Sequence, residues 1–178
     1  MGSPFLDSDV TVPDSIAGVE PVQSVRTPIR LEYTYTPGQS LTKYLQAMKE
    51  KKILGGVCPD TGQVSVPPRG ISPVSGKVTT ELVEVADHGH IMSFCVTHIP
   101  LPGREELKPP FVAAWVRPEG ASTGFIGLIT GIEASECRIG MRVKAVWKPD
   151  EELEESAENI PSWEPTGEPD VPEAEVRA

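Results

Sequence analysis

The stretch GVCPDTGQVSVPPRGISPVSG, residues 56–76, says most about the fold of this 178-residue chain. It contains two short turns of similar design, Cys58-Pro59-Asp60-Thr61-Gly62 and Ser72-Pro73-Val74-Ser75-Gly76. In each turn a proline follows the first residue and a glycine comes last. Because glycine adopts positive φ at little cost, both turns are predicted to end on a glycine in that conformation.

The two turns have the outline of a zinc ribbon, in which a pair of Cys-Pro-x-Cys-Gly turns joined by a short hairpin supplies four thiolates. Only Cys58 remains a cysteine here, and Thr61, Ser72 and Ser75 occupy the other three ligand positions. Neutral hydroxyls are poor zinc ligands, and structural zinc takes about four thiolate or imidazole donors. The sequence therefore predicts a degenerate, zinc-ribbon-like segment that holds no zinc. The hairpin around Val64 and docking onto a partner are the predicted means of holding its turns together.

Downstream of this segment the sequence has the pattern of β-structure. Turn signals separate five predicted strands, at residues 78–85, 91–98, 111–117, 124–130 and 139–147. The third is nearly all apolar, which predicts a strand buried in a barrel. Five short strands with no long helix among them are typical of a small closed barrel such as the OB-fold. We therefore predict a mainly β protein with a five-stranded OB-fold barrel.

Upstream of the two turns the sequence predicts a short strand at residues 29–35 and then a helix. Ser40 is the predicted N-cap of this helix, which runs through Lys52 and is ended by Gly55 and Gly56. Its apolar residues recur at i, i+3, i+4 and i+7, as Leu41, Tyr44, Leu45 and Met48.

The predicted organisation has five parts. They are an extension or partner-binding arm (1–28), a strand and helix (29–56), the zinc-ribbon-like segment (57–80), the OB-fold barrel (81–148) and an acidic C-terminal segment (149–178) that is partly ordered around 159–170.

The net charge of −10 is confined to one end of the chain. Residues 149–178 contain eleven acidic side chains and one arginine, whereas residues 1–148 carry fifteen charges of each sign. A neutral body gives no electrostatic reason to bind a polyanion, which argues against nucleic acid. Three widely spaced cysteines do not form a disulfide framework, and no apolar run is long enough to span a membrane. We therefore expect a cytoplasmic protein that binds neither nucleic acid nor membrane.

Five motifs in a fixed order resemble a known family. They are GGVCP (55–59), VSVPPR (64–69), PPFVAAW (109–115), RIGMRV (138–143) and PTGEPD (165–170), and the resemblance covers residues 31 to about 170. The chain resembles the small acyl-CoA-associated proteins built from an N-terminal helix, a rubredoxin-like zinc ribbon and an OB-fold, which pair with thiolase-fold enzymes. The version that partners a thiolase-like aldolase in bacterial steroid side-chain breakdown is the most similar.

The resemblance implies an accessory subunit with no catalytic residues of its own. Such a subunit stabilises a thiolase-fold aldolase that cleaves a β-hydroxyacyl-CoA side chain by a retro-aldol reaction, and it helps to form the acyl-CoA site. By analogy with dimeric thiolases, the implied assembly has two copies of each subunit. No cofactor is expected on the isolated chain, and the acyl-CoA substrate would be shared with the partner. The chain departs from the family at Thr61, Ser72 and Ser75, where cysteines are usual.

Two basic residues are the candidate acyl-CoA contacts. Arg69 follows two prolines that restrict its backbone, and a guanidinium suits a phosphate or a carboxylate. An ion pair that joins the zinc-ribbon-like segment to the barrel is an equally good interpretation. Lys108 precedes Pro109 and Pro110 and lies either in a loop against the partner or at a simple strand entry.

Other conspicuous side chains favour structural roles. His88 and His90 are predicted to lie in a solvated turn, and Cys95 and Trp115 are predicted core residues. The acidic run at residues 150–158 is predicted to be a solvated linker, with only the last residues of the chain free.

Three alternative functions stay open. The chain could be an accessory subunit of an acyl-CoA thiolase or hydratase complex. It could be an OB-fold that binds single-stranded nucleic acid. It could also be an independent acyl-CoA hydrolase that uses His98 or Cys95, although no base and nucleophile pair is evident in the sequence.

Overall fold

The computed structural model describes residues 18–20, 22–25, 31–32, 34–101 and 103–176. The chain divides into two units, Met1–Tyr35 and Thr36–Ala178. In the first unit the described residues form neither helix nor strand. The predicted strand at 29–35 is therefore wrong at residues 31, 32, 34 and 35, and its remaining positions lie outside the described residues. No helix within the described ranges is both long and apolar enough to cross a bilayer.

The second unit begins with helix α1, Gln39–Lys49, which buries Tyr44 and Met48. Leu41 and Leu45 are partly buried against the same core, so the predicted apolar stripe is confirmed. The predicted ends are wrong, however, because Gly38 is the N-cap and Glu50 the C-cap.

Gly55 and Gly56 lie in the following strand β1, Ile53–Val57, and do not end the helix. A Cβ added to Gly55 would lie 2.3 Å from Val64 Cγ1. Strand packing, and not a helix stop, therefore requires a small residue at this position.

A three-stranded antiparallel sheet connects α1 to the barrel. Its order is β2-β1-β3, with β2 at Val64–Ser65 and β3 at Leu82–Val85. Ile53 pairs with Val85, and Val57 pairs with Val64. The strand predicted at 78–85 thus belongs to this sheet and is not part of the barrel.

The barrel itself is closed and five-stranded, which confirms the predicted OB-fold. Its order is β4-β5-β6-β8-β7, formed by His88–Thr97, Phe111–Pro118, Phe125–Ile129, Ser162–Pro165 and Arg142–Val146. Strands β6 and β8 pair in parallel at Ile129 and Trp163, and the other pairs are antiparallel.

The fifth barrel strand, β8, comes from the acidic C-terminal segment and not from residues 81–148. Trp163 on this strand is 1% exposed, and its ring centroid lies 5.6 Å from that of Phe125. It fills the space that Gly127 leaves open, because a Cβ on Gly127 would lie 2.4 Å from Trp163 Cδ1. The prediction of order around residues 159–170 is therefore confirmed.

The segment after the barrel is more ordered than predicted. Helix α2, Glu173–Val176, buries Val176, and Arg117 Nη2 donates a hydrogen bond to the Glu175 carbonyl at 3.1 Å. The acidic run before β8 forms two 3-10 turns, Asp150–Glu152 and Ala157–Asn159. Its carboxylates are exposed as predicted, although Lys51 forms an ion pair with Asp150 at 2.5 Å.

Candidate functional site

The two Pro/Gly turns of residues 58–62 and 72–76 have the same backbone geometry. Gly62 N donates to Cys58 O and Gly76 N to Ser72 O, at 2.9 and 3.0 Å. The first residue of each turn donates in the same way to the residue after its glycine. Gly62 and Gly76 have φ values of 72° and 71°, which confirms the predicted conformation.

The four ligand-like side chains of these turns converge. Cys58 Sγ donates to Ser75 Oγ at 3.5 Å, and Ser72 Oγ accepts from the amides of Val74 and Ser75. Cys58 and Ser72 are 3% and 2% exposed. The hydroxyl of Ser72, followed by those of Thr61 and Ser75, lowers the pKa of the Cys58 thiol to about 6. We call these four residues the hydroxyl–thiol cluster.

The donor set of this cluster does not fit a structural zinc. One thiol and three hydroxyls provide a single soft ligand where about four thiolate or imidazole donors are needed. Among the described residues, no group of three or more His, Cys, Asp or Glu side chains is placed to hold a metal ion.

Other contacts hold the turns in place. The Lys77 ammonium pairs with Asp60 Oδ1 at 2.6 Å across the two turns. The amides of Val64 and Val66, in the hairpin between the turns, donate to Ser122 Oγ and Thr123 Oγ1 of the barrel unit at 3.0 and 2.9 Å. The hairpin contributes as predicted, and the contacts to Ser122 and Thr123 attach it to the chain's own barrel.

Arg69 is exposed and lines a cavity of about 710 Å³. The cavity lies between the first turn of α1, the Pro67–Gly70 segment and the residues just before β3. Arg69 makes no ion pair or hydrogen bond within the described ranges. The interpretation that Arg69 joins the zinc-ribbon-like segment to the barrel by an ion pair is therefore wrong.

Lys108 lies elsewhere. It is exposed in the loop before β5 and lines two smaller cavities, of about 270 and 380 Å³, which it shares with Leu107. Arg69 lines neither of them, so the structure does not bring the two candidate acyl-CoA contacts together in one cavity.

The outward side of β4, β5 and β6 carries an apolar surface that the sequence did not reveal. Residues paired across neighbouring strands share a face of the sheet. Trp115 pairs with Ile126 on one side and Ser93 on the other, and Ala113 pairs with Leu128 and Cys95. Trp115 is 40% exposed, Ile126 is 68% exposed and Cys95 is exposed. We call Cys95, Ala113, Trp115, Ile126 and Leu128 the outer apolar face.

The core positions predicted for Cys95 and Trp115 are therefore wrong. Strand β5 buries Val112, Ala114 and Val116, so its odd-numbered residues must face outward. The run is apolar on both sides, which hid this alternation. The sequence signal for this alternation lies in the neighbouring strand β6, where Ile126 also alternates with residues that face the core.

The histidines also differ from the prediction. His88 and His90 lie in strand β4 and not in a turn, with His90 paired to Arg117 on β5 and Arg142 on β7. Burial, and secondarily the two arginines, lower the pKa of His90. Its Nε2 is buried and has no hydrogen-bond partner in the described part of the chain. His98 follows β4 and is exposed. Among the described residues, no hydrogen bond joins these imidazoles to a nucleophilic hydroxyl or thiol.

Comparisons with known proteins agree with this architecture. Residues 82–148 match the family model described as ChsH2, C-terminal OB-fold domain. A DUF35 domain-containing scaffold protein from Pyrococcus furiosus is 27% identical over 116 residues, which make up 65% of this chain and 83% of that protein.

Two solved structures share the fold. The Ltp2-ChsH2(DUF35) aldolase aligns with a TM-score of 0.57 and 22% identity, over 74% of this chain and 98% of that one. A DUF35-family protein from Sulfolobus solfataricus aligns with a TM-score of 0.52 and 21% identity, over 61% and 78% of the two chains. The resemblance inferred from the sequence is thus confirmed for the OB-fold. The match to the ChsH2 C-terminal OB-fold domain model is confined to residues 82–148, which are less than half of the chain.

Proposed function

We propose that this protein is an accessory subunit that binds and stabilises a thiolase-fold acyl-CoA aldolase. The family of the barrel supports this proposal, as do the two relatives whose descriptions name an Ltp2-ChsH2 aldolase and a scaffold protein. The contacts among the described residues assemble no nucleophile with a base, which suits a subunit whose partner performs the chemistry.

The outer apolar face is the observation that carries the proposal. Isolated apolar side chains are common on protein surfaces, but neighbouring ones on adjacent strands mark interaction sites. Here an exposed tryptophan and an exposed isoleucine are directly paired across β5 and β6. Exposed tryptophans are also frequent energetic centres of protein interfaces. This surface would be covered in the complex.

The finer features of the function belong to the same proposal. The partner cleaves a β-hydroxyacyl-CoA of steroid side-chain origin by a retro-aldol step, in a complex with two copies of each subunit. Arg69 and Lys108, which lie apart in this chain, would contact different portions of the acyl-CoA or of the partner. The protein would work without zinc in the cytoplasm, where the three free cysteines stay reduced.

Co-expression tests this proposal directly. The chain is produced with each thiolase-like protein encoded in its genome neighbourhood, and complexes are measured by size-exclusion chromatography with light scattering. We expect one stable complex that has aldolase activity on β-hydroxyacyl-CoA. Ile126→Lys and Trp115→Lys should each weaken the complex at least tenfold, because a buried lysine would displace apolar contacts.

The matched control is Ile139→Lys, which makes the same change at an exposed isoleucine in the turn before β7, outside the outer apolar face. Circular dichroism and thermal melting of each variant show whether the fold is intact. A chain that stays alone with every candidate partner would refute the proposal, and so would cleavage of acyl-CoA by the isolated chain. If the Ile126→Lys and Trp115→Lys variants form complexes as tight as those of Ile139→Lys, the outer apolar face is excluded as the docking surface.

A further inference from the structure

Two arginines and a histidine form a row across three neighbouring strands of the barrel. His90 of β4 pairs with Arg142 of β7 on one side and with Arg117 of β5 on the other. Residues paired in this way share a face of the sheet. The residue next to each of them is buried in the core, so the row lies on the outward face. All three side chains line one cavity of about 460 Å³. We call them the Arg–His–Arg row.

The C-terminal segment, residues 169–176, lies against this row and forms the other side of the cavity. Arg142 Nε donates to the Pro169 carbonyl and Arg117 Nη2 to the Glu175 carbonyl, both at 3.1 Å. Between these contacts, Val171 N donates to Gly140 O at 2.8 Å. Val171 and Glu175 both line the cavity. The cavity therefore has walls from two parts of the chain that backbone contacts hold together.

The charge of the two guanidiniums is not offset by a bound carboxylate. Each donates to a carbonyl oxygen, and among the described residues neither forms an ion pair. A guanidinium has five N–H donors, so each retains donors for a further acceptor. Glu119 and Glu175 also line the cavity, and the Glu119 carboxylate lies 3.3 Å from His88 Nε2. With two charges of each sign in the lining, a ligand with one negative charge fits better than one with two.

The imidazole between the arginines provides an independent indication of a ligand. Nε2 of His90 is buried and has no hydrogen-bond partner among the residues that the structure describes. Burial and the two arginines keep the pKa of His90 below its usual value, so the imidazole is neutral at pH 7. Buried polar atoms are nearly always hydrogen-bonded. This nitrogen therefore points to a partner that the described part of the chain does not supply.

We propose that this cavity binds a small organic acid through its carboxylate group. The planar donors of a guanidinium match the two oxygens of a carboxylate, and the two arginines flank the position of the imidazole. Pro118, Ala121 and Val171 provide an apolar part of the wall for the body of the ligand. A carboxylate carries the single negative charge that the lining accommodates. The site does not depend on the proposed accessory function.

Proton NMR of the isolated full chain tests this binding. The chain is titrated in a chloride buffer of constant ionic strength with butyrate, with its neutral amide butyramide and with inorganic phosphate. The imidazole signal of His90 is assigned from its loss in His90→Gln. We expect butyrate to shift this signal, butyramide to leave it unchanged and phosphate to bind more weakly than butyrate.

The pKa of His90 gives a second readout at the same site. The charged groups around this imidazole are Arg117 and Arg142 on the neighbouring strands, Glu119 after β5 and Glu175 in α2. A carboxylate bound beside the arginines offsets their charge, which favours the protonated imidazole. The pKa of His90, measured by NMR, should therefore rise when butyrate is bound.

Arg117→Gln tests the placement of the ligand. It should weaken butyrate binding about tenfold or more, the usual effect of losing a charged hydrogen bond. Arg138→Gln is the matched control, because Arg138 also contacts the C-terminal segment, through Asp170, but does not line this cavity. It should leave the affinity unchanged. Equal losses in the two variants would show that loosening of the segment causes the effect, which would refute the role of the guanidinium.

Glu175→Gln provides a test in the opposite direction. Its carboxylate is removed from the cavity lining, whereas the backbone carbonyl that accepts from Arg117 remains. Less repulsion should strengthen butyrate binding about twofold to fivefold. Amide spectra of each variant show whether the fold is intact.

The proposal is overturned if butyrate does not bind, if butyramide binds as tightly as butyrate, or if phosphate binds more tightly than butyrate. If no small acid binds but Arg117→Gln weakens a complex with a thiolase-fold partner, the cavity receives an acidic side chain of that partner, and the proposal is wrong. Binding is measured without any partner, so its failure can be distinguished from failure to form an aldolase complex.

Discussion

Replacing Thr61, Ser72 and Ser75 by cysteine should turn the hydroxyl–thiol cluster into a zinc site. Tetrahedral zinc with Zn–S bonds of about 2.3 Å places its sulfur atoms about 3.8 Å apart. Cys58 Sγ and Ser75 Oγ are already 3.5 Å apart, and both turns have the same backbone hydrogen bonds. The backbone therefore needs almost no adjustment, and the ligands alone are missing.

The expected rise in melting temperature on zinc binding follows from mass action. Free zinc at a hundred times its dissociation constant stabilises a folded protein by about 2.7 kcal/mol. For a chain of this length each kcal/mol raises the melting temperature by about 2–4 °C. The triple variant should therefore melt about 5–11 °C higher with zinc than with a chelator, and the original chain should not respond.

The assay is zinc content per chain after dialysis, combined with thermal melting. We expect one zinc per chain in the triple variant and well below one in the original chain. The single variant Ser72→Cys is the control, since two thiolates should bind zinc much more weakly than four. A folded triple variant that takes up no zinc would refute the inferred convergence of the four side chains. Firmly bound zinc in the original chain would show that the interpretation of Ser72 and Ser75 is wrong.

Three further predictions concern stability. Gly127→Ala should cost about 1–3 kcal/mol in chemical denaturation, because its Cβ would overlap Trp163, and an unchanged midpoint would contradict the barrel packing. Ser72→Ala should cost about 1–3 kcal/mol by removing a buried acceptor for two amides, whereas Lys77→Gln, at an exposed ion pair, should cost less than about 1 kcal/mol. Folding lowers the pKa of Cys58 from 9.0 to about 6. The ionised Cys58 thiol therefore stabilises the folded protein fully above about pH 9, and this stabilisation is lost as the pH falls through 6. The difference in melting temperature between the original chain and Cys58→Ala should therefore shrink towards acid pH.

Local features of this protein follow from its sequence because their causes are local. The positive φ values of Gly62 and Gly76 follow from the spacing of proline and glycine in each turn. The apolar stripe of α1 follows from helical periodicity, and four of the barrel strands follow from alternation between turn signals. The absence of zinc ligands likewise follows from the amino-acid types at these positions alone.

The strand partners, the exposed face of β5 and the cavity beside Arg69 depend on long-range pairing. The pattern of residues 78–85 predicts a strand but not its partner strand, which is β1 outside the barrel. Strand β8 has only four residues and is too short to be recognised within an acidic segment. Period-two alternation likewise separates the two faces of β5 without saying which one the barrel encloses, so Trp115 is exposed while Ala114 is buried. The cavity beside Arg69 needs α1, residues 67–70 and the approach to β3 together. Contacts between residues far apart in the chain create these features, and only the tertiary structure specifies them.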